Sequence, residues 1–251
     1  TEYCHKQNDS GGFSPVFGFV QCCLCVTDFI VSTNAYKNID PAGDLWGIRG
    51  IIVNRETKTT DKNQKKTNEN RNAFFMFQNK VVVITGGAGG IGKCIREEFE
   101  KAGAKVCIID IADNPYFVGD IGDEATLRRF ADKVIAEHGR VDCLINNAPP
   151  LFKGINECTY EEFNYALRVG VSAAFLLTQL FQPYFAPGAS IINISSVGGS
   201  VPDISQIAYG TSKAAINYLT KLIAVHEAKN KIRCNAVLPG MTATEAVKAN
   251  L

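Results

Sequence analysis

Two polar side chains near the end of the chain have the types and spacing that proton transfer requires. Tyr209 and Lys213 lie four positions apart in "YGTSK", which places them on one face of a helix, one turn from each other. A free phenol, with a pKa of about 10, is a poor base at neutral pH, so it needs a neighbouring cation. The alternative is an ordinary polar pair on a helix surface. The pair alone favours that alternative, so other parts of the sequence must decide.

A glycine-rich turn offers a second kind of chemistry, the binding of phosphate groups. In "VVVITGGAGGIG", Gly86, Gly90 and Gly92 follow a strand-like run and open a helix-like run. Such glycines let the backbone approach a pyrophosphate, and the helix N-terminus supplies amide donors. The next strand-like run ends in Asp110, whose carboxylate can bind both ribose hydroxyls and would repel a 2′-phosphate. With no arginine in the loop or directly after Asp110, the pattern predicts NAD; the alternative is that Asp110 only caps a loop.

Alternating elements must position these residues. Continuous apolar runs predict strands at "KVVVITG", "AKVCIID", "VDCLINNA", "SIINISS" and "IRCNAVLPG", and helical patterns lie between them. One helix is predicted to begin at the capping box of Thr159 and Glu162. Apolar strands that alternate with helices predict a parallel sheet covered on both faces. The predicted fold class is therefore α/β, a Rossmann-type doubly wound parallel sheet with ligands at the carboxyl ends of its strands.

The chain divides into three unequal parts. Residues 54–72 contain no hydrophobic residue and cannot offset the entropy of ordering, so a polar linker is predicted over residues 54–76. Residues 1–53 show weak periodicity and are expected to be a poorly structured extension. The remaining residues, 77–251, form the predicted NAD-binding domain.

Composition excludes several classes of protein. The 251 residues carry a formal net charge of +1, so no nucleic-acid partner is predicted. The apolar run "VFGFVQCCLCVTDFIV" is short for a bilayer span and contains Gln21 and Asp28, so no membrane partner is predicted. Three cysteines in that run lack a second ligand pair at suitable spacing, so no metal site is predicted. Nine cysteines, an odd number, are interpreted as reduced thiols of a cytoplasmic protein; four lie in apolar runs, Cys94, Cys107, Cys143 and Cys234.

The motifs "TGGAGGIG", "NNA", "NISS", "YGTSK" and "NAVLPG" follow one another in a characteristic order and approximate spacing. On them the chain resembles the short-chain dehydrogenase/reductase family over about residues 79–251. The stretch from Ser190 to Gly240 is most similar to bacterial hydroxysteroid dehydrogenases that act on bile acids. The resemblance implies an NAD-dependent enzyme that interconverts a secondary alcohol and a ketone, and a small hydrophobic alcohol or ketone is the expected substrate. The apolar stretch "PPLFKGINECTY" is expected to line one side of its pocket.

The resemblance also implies a role for each site residue. Tyr209 would exchange a proton with the substrate oxygen, and Lys213 would assist it by its charge and hold the nicotinamide ribose. Ser196 would hydrogen-bond the substrate carbonyl or alcohol, whereas strand alternation should point its neighbour Ser195 to the other face. Asp120 and Ile121 would lie at the adenine, and Thr242 and Thr244 would lie at the nicotinamide carboxamide. The other implied cofactor-binding residues are Gly86, Gly90, Ile91, Gly92, Asp110, Asn147, Tyr209 and Lys213.

The sequence departs from the family pattern at four places. Pro149 stands where a glycine usually follows "NNA", and Gly170 stands where the family has an asparagine that supports a water relay to the lysine. Residues 111–115 are too few for a crossover helix, so an irregular edge strand is expected at "YFVGD". The chain stops at Leu251, so the last strand, and with it a common oligomer interface, is expected to be missing. The alternative function is therefore a non-catalytic dinucleotide-binding protein or a truncated dehydrogenase.

Overall fold

Six parallel strands form the sheet at the centre of the domain. The computed structural model describes residues 77–150, 152–240, 242 and 244; the predicted extension and linker lie outside the described residues. The strands are β1 (Val81–Thr85), β2 (Lys105–Asp110), β3 (Phe117–Val118), β4 (Val141–Asn146), β5 (Phe185–Ile194) and β6 (Arg233–Val237). Their order is β3-β2-β1-β4-β5-β6, and every pairing is parallel. In the described part of the chain β6 forms one edge of the sheet. The predicted Rossmann-type sheet is confirmed.

Five α-helices connect these strands. They are α1 (Gly90–Lys101), α2 (Glu124–His138), α3 (Tyr160–Leu167), α4 (Ala173–Phe181) and α5 (Ile207–Glu227). The predicted capping box of Thr159 and Glu162 is present at the start of α3. Asp123 caps α2 by accepting a hydrogen bond from the Thr126 amide, and Gly139 ends that helix in the left-handed region at φ +64. Local sequence signals therefore set these helix ends.

Apolar side chains cover both faces of the sheet, as the continuous apolar runs predict. Val81 and Val83 point to one face, where they join a cluster with side chains of α2, α4 and α5. Val82 and Ile84 point to the other face and pack with Ile95 and other side chains of α1. Because successive residues of a strand alternate between faces, a strand buried on both faces must be apolar at every position.

The β2–β3 connection is short, as residues 111–115 predict, and it contains no helix. The Asn114 side chain organises it, because its Oδ1 accepts hydrogen bonds from the Tyr116 and Phe117 amides at 3.0 and 2.9 Å. Both aromatic rings then pack edge-on against Phe130 of α2, with centroid distances of 6.2 and 5.5 Å. The edge strand is therefore two residues long and fixed by aromatic packing.

Two elements differ from the prediction. Strand β5 begins at Phe185, five residues before the predicted start, because a register shift against β4 accommodates Gly188 at φ +79. The predicted single helix after Thr159 is interrupted by a π-helical turn, Arg168–Ser172, between α3 and α4. Four short 3₁₀ segments complete the described structure: Gln182–Tyr184, Val197–Gly199, Ile204–Gln206 and Ala228–Asn230.

The described cysteines are free thiols. Cys107, Cys143 and Cys234 are buried, whereas Cys94 is only partly buried. Burial raises the pKa of the Cys143 thiol to about 11, so this thiol stays protonated at neutral pH. Among the described helices, none combines the length and apolar character that a membrane crossing requires.

Candidate active site

Helix α5 carries the tyrosine and the lysine in its first two turns, where Tyr209 is partly exposed and Lys213 is buried. The Lys213 side chain is 3% exposed, and its Nζ donates a 2.6 Å hydrogen bond to the carbonyl oxygen of Ile194 at the end of β5. Nζ lies 5.4 Å from the centroid of the Tyr209 ring. Burial lowers the pKa of Lys213 to about 8. A cation therefore stands beside the phenol near neutral pH.

The serine predicted to contact substrate lies at the end of β5. Ser196 Oγ accepts a 3.1 Å hydrogen bond from the Gly198 amide. A Cβ atom added at Gly198 would lie 3.5 Å from Ser196 Oγ and 3.6 Å from Tyr209 Cε1, so both side chains flank the same glycine. Ser195 Oγ instead donates to the carbonyl oxygen of Lys213 in the interior, at 3.1 Å. Strand alternation therefore separates the two serines as predicted, and Ser196 is the one on the side of Tyr209.

An aromatic side chain covers one face of the tyrosine. Phe152, in the loop after β4, stacks on the Tyr209 ring with 4.3 Å between centroids and 24° between planes. The same loop is tied to α5 because the Ile207 amide donates to the Lys153 carbonyl oxygen at 2.9 Å. Phe152 is nonetheless 54% exposed. The loops after β4, β5 and β6 expose further large apolar side chains: Ile155, Val197, Val201, Ile204 and Leu238.

The glycine-rich turn between β1 and α1 requires its glycines. Gly86 and Gly90 adopt φ +68 and +52, a region that side chains with a Cβ rarely occupy. A Cβ at Gly92 would overlap the carbonyl oxygen of Gly86. Asn147 Nδ2 fixes the same turn by donating to the carbonyl oxygens of Thr85 and Gly86 at 3.1 and 3.0 Å. The backbone therefore forms the open cradle that a pyrophosphate needs at the start of a helix.

Asp110 stands beside this turn at the end of β2. Its Oδ2 accepts from the Ala88 amide at 2.9 Å, and its Oδ1 accepts from the Ala112 amide at 3.0 Å. The carboxylate thus caps two loops, as the alternative interpretation held, and it lies where a ribose beyond the glycine turn would be placed. Ile91, which is also predicted to bind the cofactor, packs against the core cluster on the α1 side of the sheet.

The residues predicted to contact the adenine have structural partners. Asp120 Oδ1 accepts from the Tyr165 hydroxyl at 2.9 Å and from the Gly122 amide at 2.7 Å. Ile121 is buried in the main core cluster. Their roles at an adenine stay predictions.

The loop after β6 reaches the glycine-rich turn. The Pro239 carbonyl oxygen accepts from the Val197 amide at 3.1 Å, which joins this loop to the end of β5. Thr242 Oγ1 donates to the Gly240 carbonyl oxygen, and Thr244 Cγ2 lies 3.5 Å from the position of a Cβ on Gly90. The carboxyl ends of β1, β5 and β6 therefore converge on one place.

Gly170 lies in the π-helical turn and faces α5. A Cβ there would lie 2.9 Å from Ser212 Cβ and Oγ and 3.3 Å from Pro150 Cγ. The space that an asparagine would need is thus taken by neighbouring side chains. Pro149 is exposed and Pro150 is buried. Sequence reasoning did not find this packing, because it brings together residues from three separate loops and helices.

The residues present fit a nicotinamide dinucleotide. The glycine cradle suits the pyrophosphate, the Asp110 carboxylate suits a ribose diol, and Lys213 and Tyr209 lie at the carboxyl ends of the central strands. In the described ranges there is no group of three or more His, Cys, Asp or Glu side chains that could hold a metal ion. The site can therefore combine dinucleotide binding with proton transfer by the phenol.

Comparison with known proteins shows which family this chain resembles. The sequence model of the family described as "short chain dehydrogenase" matches residues 80–251. A 7alpha-hydroxysteroid dehydrogenase of Clostridium sardiniense is 36% identical over 199 residues, covering 70% of this chain and 75% of the relative. An L-fucose dehydrogenase of Mus musculus is 29% identical over 184 residues, covering 67% of each chain.

Solved structures show the same fold. The ligand-free aldohexose dehydrogenase of Thermoplasma acidophilum superposes with a TM-score of 0.66 at 32% identity, over 70% of this chain and 72% of that one. The 3-ketoacyl-(acyl-carrier-protein) reductase of Brucella melitensis complexed with NADH gives 0.63 at 27% identity, over 68% and 80%. Because the family model matches residues 80–251, more than half of the chain, the chain belongs to the short-chain dehydrogenase/reductase family of oxidoreductases.

Proposed function

We propose that the chain is an NAD-dependent oxidoreductase that interconverts a secondary alcohol and a ketone, with Tyr209 as the general acid/base. The observation that carries this proposal is the position of Tyr209. Its ring lies beside the buried cation of Lys213 and beside Gly198, the glycine that Ser196 also flanks. A phenol, a cation and a hydroxyl donor at the carboxyl ends of parallel strands form a site for proton exchange with a carbonyl oxygen.

Each side chain has a separate task in this reaction. A bound nicotinamide supplies or accepts the hydride. Tyr209 donates its phenolic proton to the ketone oxygen in reduction and accepts the alcohol proton in oxidation. The Lys213 charge stabilises the phenolate left after donation, and Ser196 Oγ orients the substrate oxygen.

The cofactor is NAD rather than NADP in this proposal. Asp110 places a carboxylate beside the Ala88 amide of the glycine-rich turn, where a 2′-phosphate would meet a like charge. The sequence has no arginine in that turn or directly after Asp110 to neutralise such a phosphate.

The substrate is hydrophobic in this proposal. Phe152 and Val197 expose apolar surface directly beside Tyr209 and Ser196, and exposed apolar surface of this kind marks a binding site. The relatives include both steroid and sugar dehydrogenases, so likeness alone does not choose between the two classes. The apolar side chains favour a steroid-like or other hydrophobic ketone, such as a 7-keto-steroid.

The test follows NADH and NADPH oxidation by the full chain with a panel of ketones that includes keto-steroids. NADH is expected to support turnover better than NADPH. Tyr209→Phe is expected to lower kcat by about 10³-fold or more, because the general acid is removed while the ring is kept. Tyr218→Phe is the matched control, since Tyr218 lies on the same helix, is 64% exposed and should not affect turnover.

Two outcomes would contradict the proposal. Turnover that survives Tyr209→Phe would show that another group transfers the proton. NAD binding in calorimetry, without turnover of any ketone by the unaltered chain, would support the alternative of a non-catalytic dinucleotide-binding protein, which the occupied space at Gly170 favours.

We also propose a reducing, cytoplasmic setting. Cys107, Cys143 and Cys234 are buried thiols without disulfide partners among the described residues. Proteins of reducing compartments keep such thiols free. Expression as a fusion to a fluorescent protein, followed by microscopy, tests this localisation directly.

A further inference from the structure

A buried amide oxygen on β4 lacks a hydrogen-bond donor. Asn146 is the last residue of β4, and its Oδ1 is shielded from solvent without any donor among the described protein atoms. Leaving a buried acceptor unsatisfied costs free energy, so such an atom in a folded protein calls for a partner.

The orientation of this amide is fixed by its neighbours. Thr220 Oγ1 donates to the Ile216 carbonyl oxygen at 2.7 Å and accepts from Asn193 Nδ2 at 2.8 Å. Asn193 Oδ1 must then accept, and it receives Asn146 Nδ2 at 2.8 Å. Flipping the Asn146 amide would place two acceptor oxygens against each other. The unsatisfied atom is therefore Oδ1.

A small cavity lies beside this amide. Its volume is about 10 Å³, and its lining includes Asn146, Lys213 and Gly170. That volume is close to the minimum that holds one water molecule, which also needs two or more polar partners. Asn146 Oδ1 supplies an acceptor, and Lys213 Nζ supplies donors, because its hydrogen bond to Ile194 uses one of three N–H groups.

We propose that one buried water bridges Asn146 Oδ1 and Lys213 Nζ, which makes Asn146 a positioning residue for the lysine. The water donates to Oδ1 and accepts from Nζ, so it satisfies the orphaned oxygen and solvates the buried ammonium group. This inference rests on the proposed function for its effect on turnover, but the water site itself does not.

The packing at Gly170 explains why the partner comes from β4. Ser212 and Pro150 fill the space in front of Gly170. That helical segment lines the cavity with Gly170 and with apolar side chains only, those of Val169, Ala173 and Ala174. Burial is the cause that lowers the pKa of Lys213, and no charged side chain of the described residues contributes. Among the titratable side chains of the described residues, Tyr209 has its ring centroid 5.4 Å from Lys213 Nζ. A water held by Asn146 would thus add to the Ile194 carbonyl oxygen in stabilising the charged form.

The first test is a crystal structure of the cofactor-free full chain at a resolution that shows ordered water. The expected result is one water within hydrogen-bonding distance of both Asn146 Oδ1 and Lys213 Nζ. A dry cavity, or direct contact between Nζ and Oδ1, would overturn the proposal.

The second test is an NMR titration of the Lys213 side chain in the cofactor-free chain. Asn146→Leu fills the cavity and removes the acceptor, so Lys213 should titrate at lower pH than in the unaltered chain. Asn146→Ala leaves room for solvent, so in this variant Lys213 should titrate at a pH closer to that of the unaltered chain. Asn217→Leu is the matched control, because Asn217 also has a buried, unpartnered Oδ1 but does not line the cavity.

Turnover gives a third readout. Asn146→Leu should lower kcat about tenfold with an unchanged KM for NADH, the size expected for one hydrogen bond to a charged group. An unchanged Lys213 titration in a folded Asn146→Leu variant would refute the positioning role, whatever the effect on stability. If no ketone is turned over, the crystal structure and the titration still decide whether the water site exists. A failure of the proposed function can therefore be distinguished from a failure of the water proposal.

Discussion

Phe152 and Tyr209 form the side-chain pair through which a substrate would meet the reacting phenol. Stacking at 4.3 Å fixes one face of the Tyr209 ring, while the Gly198 turn lies near its edge. Offset aromatic pairs of this kind contribute about 0.5–1.5 kcal/mol beyond area burial. Phe152 therefore both orients the phenol and offers an apolar wall beside it.

Removing the Phe152 ring should weaken substrate binding more than it slows the chemical step. Phe152→Ala is expected to raise KM about tenfold for hydrophobic ketones, because apolar contact area with substrate is lost. A small water-soluble ketone should show little change in KM. Steady-state kinetics on both substrates provide the measurement, and Phe152→Leu, which keeps an apolar side chain, is the control. An equal rise in KM for both ketones would argue against apolar contact.

At the scale of residues, motifs predicted some contacts and not others. Tyr209 and Lys213 could be found because helical spacing alone places them on one face. The unsatisfied Oδ1 of Asn146 could not, since its state depends on Asn193 and Thr220 from two other elements. The repeated asparagines of "NNA" were the available signal, and only the second, Asn147, was singled out.

At the scale of elements, a buried carboxylate ties the end of α5 to the end of α4. Glu227 is 1% exposed and accepts from Gln182 Nε2 and Asn230 Nδ2, each at 2.9 Å. Burial alone would raise its pKa, but hydrogen bonds from Asn230, His226 and Gln182 outweigh burial and hold the pKa below the ordinary value of 4.5. The helix that carries Tyr209 is thus anchored at its far end by an ionised group.

The lowered pKa of Glu227 predicts how stability depends on pH. Its contribution is present above the unfolded pKa and is lost as pH falls through the folded value. Glu227→Ala should lower the free energy of unfolding by about 1–3 kcal/mol near neutral pH, because Gln182 and Asn230 lose a buried acceptor. The deficit should shrink as pH falls below about 4.5.

Urea unfolding of the Glu227→Ala variant and of the unaltered chain across this pH range provides the measurement. Glu124→Ala is the control, since Glu124 is an exposed carboxylate paired with Arg128 on the helix surface. A deficit that does not change with pH would show that Glu227 acts through packing rather than charge.

Strands and helices were predictable where apolar runs or caps were continuous, as in β1 and at Thr159. The early start of β5 was not, because Pro187 and Gly188 in "FAPGAS" indicate a turn rather than a strand. Pairing with β4 extends that strand across the irregularity. The π-helical turn was also missed, since its sequence differs little from that of an α-helix.

At the scale of the whole molecule, one large aromatic side chain connects the helix layer to the sheet edge. Phe130 of α2 is fully buried and contacts the rings of Tyr116 and Phe117 at β3. Because β3 has only two residues, these contacts take the place of a longer hydrogen-bonded strand. The edge beside Asp110 therefore depends on side-chain packing.

Phe130→Ala should lower the free energy of unfolding by about 3–5 kcal/mol, the cost of a cavity in a close-packed core. Urea denaturation followed by circular dichroism provides the measurement. Phe175→Ala is the matched control, since Phe175 lies on α4 and is 52% exposed. Equal losses for the two variants would contradict the described core.

The π-helical turn Arg168–Ser172 affects how the length of this helical segment can change. The wider turn takes up one more residue than a turn of α-helix, so it holds an extra residue without rotating the helices on either side of it. A residue inserted into the regular helix between Tyr165 and this turn would instead rotate Tyr165 by about 100° relative to α4. Tyr165 would then turn away from Asp120. A change in length is therefore accommodated at the π-helical turn and not in the regular helix beside it.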